Sequence, residues 1–243
     1  MTAARRRALV ILLAAIVGAA ALAVAAIKRE PAALSPRPIA QRPSLLLLTS
    51  LPLVFGEGFS LQGGGSLALK SLETRYRVIP VSVTDTRELA KGHLLLMAHP
   101  QAQTAENLVA LDGWVRGGGR VLLLADPMLE WPSKRPLGDP LRPAPMFMDT
   151  GLLAHWGLTL EAPDQRGAAA RKLGGLDVLT VSPGALRGTC DIAADRLVAH
   201  CSVGRGKATV VADADLLDVD QLGPKAAQNL NGLLEELARL EQK

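Results

Sequence analysis

Apolar positions divide the chain into blocks with different periods. Ala8 to Ile27 is apolar throughout, with no charged residue and no proline. At a helical rise of about 1.5 Å per residue, such a run reaches about 30 Å, the thickness of a bilayer core. The pattern breaks at Lys28-Arg29-Glu30, and residues 28–43, KREPAALSPRPIAQRP, carry four prolines among basic side chains, as a semi-extended linker does. SLLLLTS, Ser44 to Ser50, then reads as a strand buried on both faces. After the Gly-rich stretch FGEGFSLQGGGS, the spacing predicts a helix from Ser66 to Thr74 and a strand from Arg77 to Val83, with Pro80 marking an edge or a bulge. His93 to Ala98 is a third strand. Thr104 to Arg116 is a helix with an apolar face of Leu108, Leu111, Trp114 and Val115, a partial capping box of Thr104 and Asn107, and a stop at Gly117–Gly119. Val121 to Ala125 is the fourth strand, closed by Asp126-Pro127.

Strand and helix alternate with short loops, which predicts a parallel sheet covered by helices on both faces. Past Pro127 the alternation loosens. WPSKRPLGDPLRPAP reads as an excursion over the surface, and Asp149 caps a short helix that ends at Gly157. LTLEAP, a strand near Val178–Val181, a hairpin and KATVVAD follow. The last element, Pro224 to Leu240, reads as a helix with Leu230, Leu233, Leu234 and Leu237 on one face. In this scheme residues 1–7 are a basic tail, 8–27 a transmembrane anchor or signal, 28–43 the linker and 44–243 the α/β domain.

Charge sharpens this division. Residues 1–43 hold seven of the 27 Lys/Arg and one of the 23 Asp/Glu, so they carry +6, and the remainder, 20 against 22, carries −2. The folded part is mildly acidic and has no aromatic-interleaved basic stripe, which speaks against a nucleic-acid partner. Arg5–Arg7 before the apolar run favour a cytoplasmic N-terminus and a domain across the inner membrane, facing the periplasm. Ala23-Val24-Ala25 offers the alternative of a cleaved signal. The two cysteines, Cys190 and Cys201, fall opposite each other if the chain turns at Asp195-Arg196, so a disulfide is expected, and their spacing is poor for zinc.

Ser50, Asp85, His99, Asp126, Asp213 and Asp215 fall at predicted carboxyl-terminal strand ends, where open α/β sheets bind ligands. Ser50, His99, Asp126, Asp213 and Asp215 are the ligand-rim candidates. A serine hydrolase using Ser50 or Ser66 with His99 and an aspartate is one reading, but no G-x-S-x-G or G-x-C-x-G elbow occurs. The aspartates also suit a hard cation, although aspartate at a strand end more often caps a turn. Neither a P-loop nor a dinucleotide fingerprint is present, so no cofactor and no metal is expected, and the absent nucleophile motif gives the expectation that the chain is not an enzyme.

Two motifs together, WVRGGGRVLLLADP and VGRGKATVVADADLLD followed by QNLNGLLEEL, resemble the membrane-anchored auxiliary domains of ABC-type transport systems related to the gliding-motility auxiliary protein. The resemblance implies a flavodoxin-like sandwich, similar to class I glutamine amidotransferases without the catalytic cysteine, with a mostly parallel sheet and a β-hairpin extension. It also implies an ABC permease and ATPase as partners. It gives Gly118, Gly119, Asp126, Pro127, Gly204, Gly206, Asp213, Asp215 and Asn229 a structural or ligand-rim role. A structural envelope protein without a ligand is the remaining alternative.

Overall fold

The computed structural model describes residues 33–57 and 65–242. The expected apolar helix 8–27, the basic tail 1–7, the first part of the linker and most of the Gly-rich stretch lie outside the described residues. Among the described residues, no helix is long and apolar enough to cross a membrane. Residues 34–243 form one compact unit.

In chain order its elements are β1 (Ser44–Thr49), α1 (Leu67–Glu73), β2 (Arg77–Pro80), α2 (Thr86–Leu89), β3 (Leu94–Ala98), α3 (Ala105–Arg116) and β4 (Arg120–Leu124). Then come α4 (Leu152–His155), β5 (Leu158–Glu161), β6 (Ala168–Leu173), β7 (Leu176–Val181), β8 (Ala185–Gly188), β9 (Asp191–Ile192), β10 (Val198–Val203), β11 (Gly206–Val211), α5 (Val219–Leu222) and α6 (Asn229–Glu241). The helix starts follow local chemistry. Ser66, Asp85 and Thr104 each accept a hydrogen bond from the amide three residues on, which satisfies a donor the helix leaves open.

The main sheet has the order β2-β1-β3-β4-β11-β10-β9. β2, β1, β3, β4 and β11 run parallel, and β10 with β9 continues the sheet as an antiparallel hairpin. This is a mixed α/β fold with a mostly parallel central sheet. Leu45–Leu48, Leu94–Ala98 and Val121–Leu124 are buried, as their unbroken apolar runs require in strands covered on both faces. From β1 the chain crosses one way to β2 and later the other way to β4. Right-handed crossovers therefore put α1 on one face and α2 with α3 on the other. The sheet direction switches between β1 and β3.

The two glycine motifs meet at the amino-terminal edge of this sheet. Arg205 N donates to Arg116 O, and Lys207 N donates to Gly119 O. A Cβ on Gly206 would collide with the carbonyls of Val115 and Gly119, so only glycine fits this contact.

The structure corrects several expectations. β2 stops at Pro80 and lies at the sheet edge, where a missing N–H is tolerated. α2, β6 and β8 are additional elements; β6 pairs with β7, and β8 with β5. The last helix begins at Asn229 rather than Pro224, because Gly223–Ala226 turns as a 3-10 segment. His155 is exposed beside Asp112, and the neighbouring Trp156 is buried. Residues 127–149 do not merely cross the surface: they fold back over the carboxyl-terminal edge of the sheet, with Phe147 N donating to Asp126 O and Leu129 N to Pro145 O.

Cys190 and Cys201 form a disulfide with their Cα atoms 4.8 Å apart. Pairing of Ala199 with Ile192 and of His200 with Asp191 carries the register one step further to the two cysteines. With the half-cystines 11 positions apart, reduction is expected to lower stability by about 3 kcal/mol through the entropy of the unfolded chain. Thermal melts with and without reductant check this, and an unchanged melting temperature would contradict it.

Candidate functional site

The carboxyl-terminal edge gathers Ser50, His99, Asp126, Asp213 and Asp215, each just past the end of β1, β3, β4 or β11. Asp85 is not part of this group's bonding, since it caps α2. The aspartates are buried, and their oxygens face main-chain donors. Asp126 Oδ1 accepts from Met128 N at 2.8 Å, and its Oδ2 accepts from Ala214 N at 2.8 Å and Asp215 N at 3.4 Å. Asp213 accepts from Leu216 N at 2.7 Å and Val181 N at 3.0 Å. Asp215 Oδ2 accepts from Glu130 N at 2.7 Å. Together these bonds tie β4, β7, β11 and the Pro-rich segment into one joint.

Two residues that sequence reasoning missed complete it. Glu130 accepts from Ser182 Oγ at 2.5 Å, and buried Ser182, in a left-handed conformation (φ 46°), also receives Gly167 N. Asn229, at the start of α6, accepts from Leu179 N and donates to the carbonyls of Leu179 and Leu216, so its buried amide fastens the last helix beneath the same joint. Asn229 was visible in the NLNGLLEEL motif. Glu130 and Ser182 lie in stretches without any period that would mark them.

The ionisation of the three aspartates is opposed by burial and by the negative charges around them. Burial, with Glu130's charge adding to it, pushes Asp126 up to about 6 against the amides that favour its anion. Asp213 is driven well above the usual carboxylate range by burial and then by Asp126. Asp215 rises to about 7 through burial, with Asp126 and Glu130 contributing. Among the described residues, no group of three or more His, Cys, Asp or Glu is arranged to hold a metal ion.

The hydrolase arrangement is not assembled. Ser50 Oγ donates to the main-chain carbonyl of His99 at 2.5 Å and not to its ring. The buried His99 ring places Nε2 2.8 Å from Ala144 O, in the Pro-rich segment, and burial lowers its pKa. A neutral ring donating Nε2–H to this carbonyl fits both facts. Ser66 is occupied as the cap of α1. His99, with φ 45°, sits at the switch between β1 and β3, the usual crevice of such sheets. Here the chain's own residues 127–149 cover that crevice.

What faces outward is the cap itself. A cleft of about 560 Å³ runs along Pro127, Met128, Leu129, Glu130, Met146 and Arg166. Leu137, Leu141, Met146 and Met148 protrude from the segment, Leu137 with 89% of its surface exposed. Phe55 is exposed as well, two residues from Glu57, which accepts Lys134 N and so binds the β1 loop to the cap.

No family model matches the chain, and no curated protein matches it. Among solved structures it is similar to the exo-β-1,4-mannosidase Op5Man5 from Opitutaceae bacterium strain TAV5, with a TM-score of 0.51 at 13% identity over 83% of this chain and 37% of that one. The β-galactosidase of Bacillus circulans sp. alkalophilus gives a TM-score of 0.46 at 11% identity, over 87% and 32%. The cytoplasmic protein STM3548 of Salmonella typhimurium gives 0.47 at 10%, over 82% and 98%. The chain thus spans about a third of the length of the two glycosidases. The likeness to the mannosidase is one of fold, and it corrects one expectation. The lack of a nucleophile motif gave the expectation that the chain is not an enzyme, but a fold shared with part of a glycosidase removes that inference.

The electrostatics give a signed prediction. The rim aspartates have raised folded pKa values, so their stabilising contribution is complete below the unfolded value near 4 and is lost as pH rises through about 6 to 7. The domain is therefore expected to melt higher at pH 5 than at pH 8. Asp215→Asn keeps an acceptor for the Glu130 amide and removes one charge. It is expected to match or exceed the native chain at pH 8 and to flatten the slope between pH 6 and 8. Clear destabilisation at pH 8 would show that the negative charge itself is needed.

Proposed function

We propose that this chain is a membrane-anchored extracytoplasmic module that docks onto a protein partner through the cap over its carboxyl-terminal sheet edge. An ABC-type permease with its ATPase is the assembly implied by the resemblance of the glycine motifs. The observation that carries the reading is the cap: residues 127–149 fill the fold's usual ligand crevice and present Leu137, Leu141, Met146 and Met148 to solvent. Exposed apolar residues close together on one segment are a mark of a contact surface. The strand order β2-β1-β3-β4-β11 supports a flavodoxin-like, amidotransferase-like sandwich, whose order is 2-1-3-4-5. The disulfide supports an oxidising compartment. The anchor is the apolar run Ala8–Ile27.

Cross-linking in intact cells, followed by purification from solubilised membranes, tests the proposal. A permease and its ATPase should be enriched. Leu137→Asp with Met146→Asp should abolish that enrichment at an unchanged melting temperature, since both side chains are at least half exposed. Recovery of the chain alone, or enrichment that survives both substitutions, would refute the reading.

A further inference from the structure

The amino-terminal edge of the sheet, opposite the cap, is a second surface, and its chemistry differs. Strand register sets Ser44 beside Arg77, Leu94 beside Arg120, and Arg120 beside Lys207. Arg205 lies in the turn that joins β10 to β11, and Arg42 precedes β1. These five cations end on neutral acceptors. Arg42 donates to Arg37 O, Arg77 to Ser44 Oγ, Arg120 to Glu241 O, Arg205 to Gly117 O and Lys207 to Gln242 O. Several carboxylates nearby are already matched: Glu241 with Arg37, Glu88 with Lys91 and Asp112 with Arg116. Residues 44–243 hold 20 Lys/Arg against 22 Asp/Glu, so this is a local cluster of cations and not a basic domain. A cleft of about 400 Å³ opens there, lined by Ser44, Lys91, Gly92, His93, Arg120 and Glu241, the last of these already paired with Arg37.

The chain also enters the domain at this edge. Ser35 O accepts from Arg75, and Arg37 N donates to Thr74 O. Only residues 28–34 separate Ser35 from the apolar run that ends at Ile27. Seven extended residues reach about 25 Å at most. A tether with so short an upper limit lets this face approach to within a Debye length of a bilayer's surface charge, where each Lys or Arg gains from anionic headgroups.

We infer that this amino-terminal edge is a docking face for anionic phospholipid, with Arg77, Arg120, Arg205 and Lys207 meeting the headgroups and the cleft beside Lys91 and His93 seating one of them. The face and the cap then lie at opposite ends of the parallel strands, one toward the membrane and one toward a partner. The inference rests on the anchored reading, but not on which side of the membrane the domain occupies.

Lysine footprinting of the full chain tests it. The chain is reconstituted with phosphatidylcholine vesicles, with or without phosphatidylglycerol, and labelled with an amine-reactive reagent. Lys91 and Lys207, both exposed, report on the edge, and exposed Lys134, Lys172 and Lys225 serve as internal controls. Labelling of Lys91 and Lys207 should fall at least about threefold when phosphatidylglycerol is present and recover at high salt, with the controls unchanged. Arg77→Glu with Arg205→Glu, both exposed and outside the core, should remove the protection without changing the melting temperature. Equal labelling in the two lipids overturns the inference and leaves an acidic protein surface as the occupant. Flotation with neutral vesicles reads the anchor separately. A chain that does not float with phosphatidylcholine refutes the anchored reading, while salt-sensitive flotation with phosphatidylglycerol alone would still support the edge.

Discussion

The joint between β4 and β11 rests on carboxylates that accept main-chain hydrogens. Asp126 reaches across from the end of β4 to the amides of Ala214 and Asp215, and Asp213 reaches from β11 to Val181 and Leu216. The amides are satisfied by this arrangement, while buried negative charges are brought together. Burial drives the aspartates toward their neutral forms, so the joint is most stable where that charge is relieved by protonation. The Pro-rich segment depends on the same joint, because Glu130 N ends on Asp215 and Phe147 N on the carbonyl of Asp126. Without the aspartates the segment would lose its footing and the crevice beneath it would open.

This constraint separates the two ends of the sheet. At the carboxyl end, where open α/β sheets usually bind ligands, the chain has spent the space on itself and offers apolar side chains outward. At the amino end, strand register lines up cations whose partners are neutral carbonyls and a hydroxyl. The glycine motifs serve geometry and placement together. Gly206 lets the β10–β11 turn lie against the end of α3, and Arg205 and Lys207 on either side are thereby held at the edge.

The central strands were legible because burial on both faces leaves nothing but apolar residues in LLLL, LLLMA and VLLL. The disulfide was legible because counting back from a turn at Asp195-Arg196 is arithmetic, and the β9–β10 register follows that count. The strand AAARKL, β6, was not legible. Its small and charged residues carry no strand signature, and it exists by pairing with β7. The position of the rim aspartates at strand ends could be read, whereas their burial could not, since the cover comes from a Pro-rich stretch with no period. The same cover engages the ring of His99 through Ala144 O, while Ser50 bonds only the His99 carbonyl. The start of the final helix was misplaced by five residues because Pro224 imitates a first turn, although Asn229 is the residue whose side chain fastens it.

Amide hydrogen exchange on the full chain tests the central claim, that the carboxyl-terminal edge is closed by its own residues and held by the aspartates. The amides of Ala214, Leu216, Val181 and Glu130 should exchange as slowly as those of β3 and β4, because each is bonded to a buried carboxylate. Exchange of these four at the rate of exposed loop amides, with β3 and β4 still protected, would contradict it. The Pro-rich segment would then be a lid that opens over a working crevice.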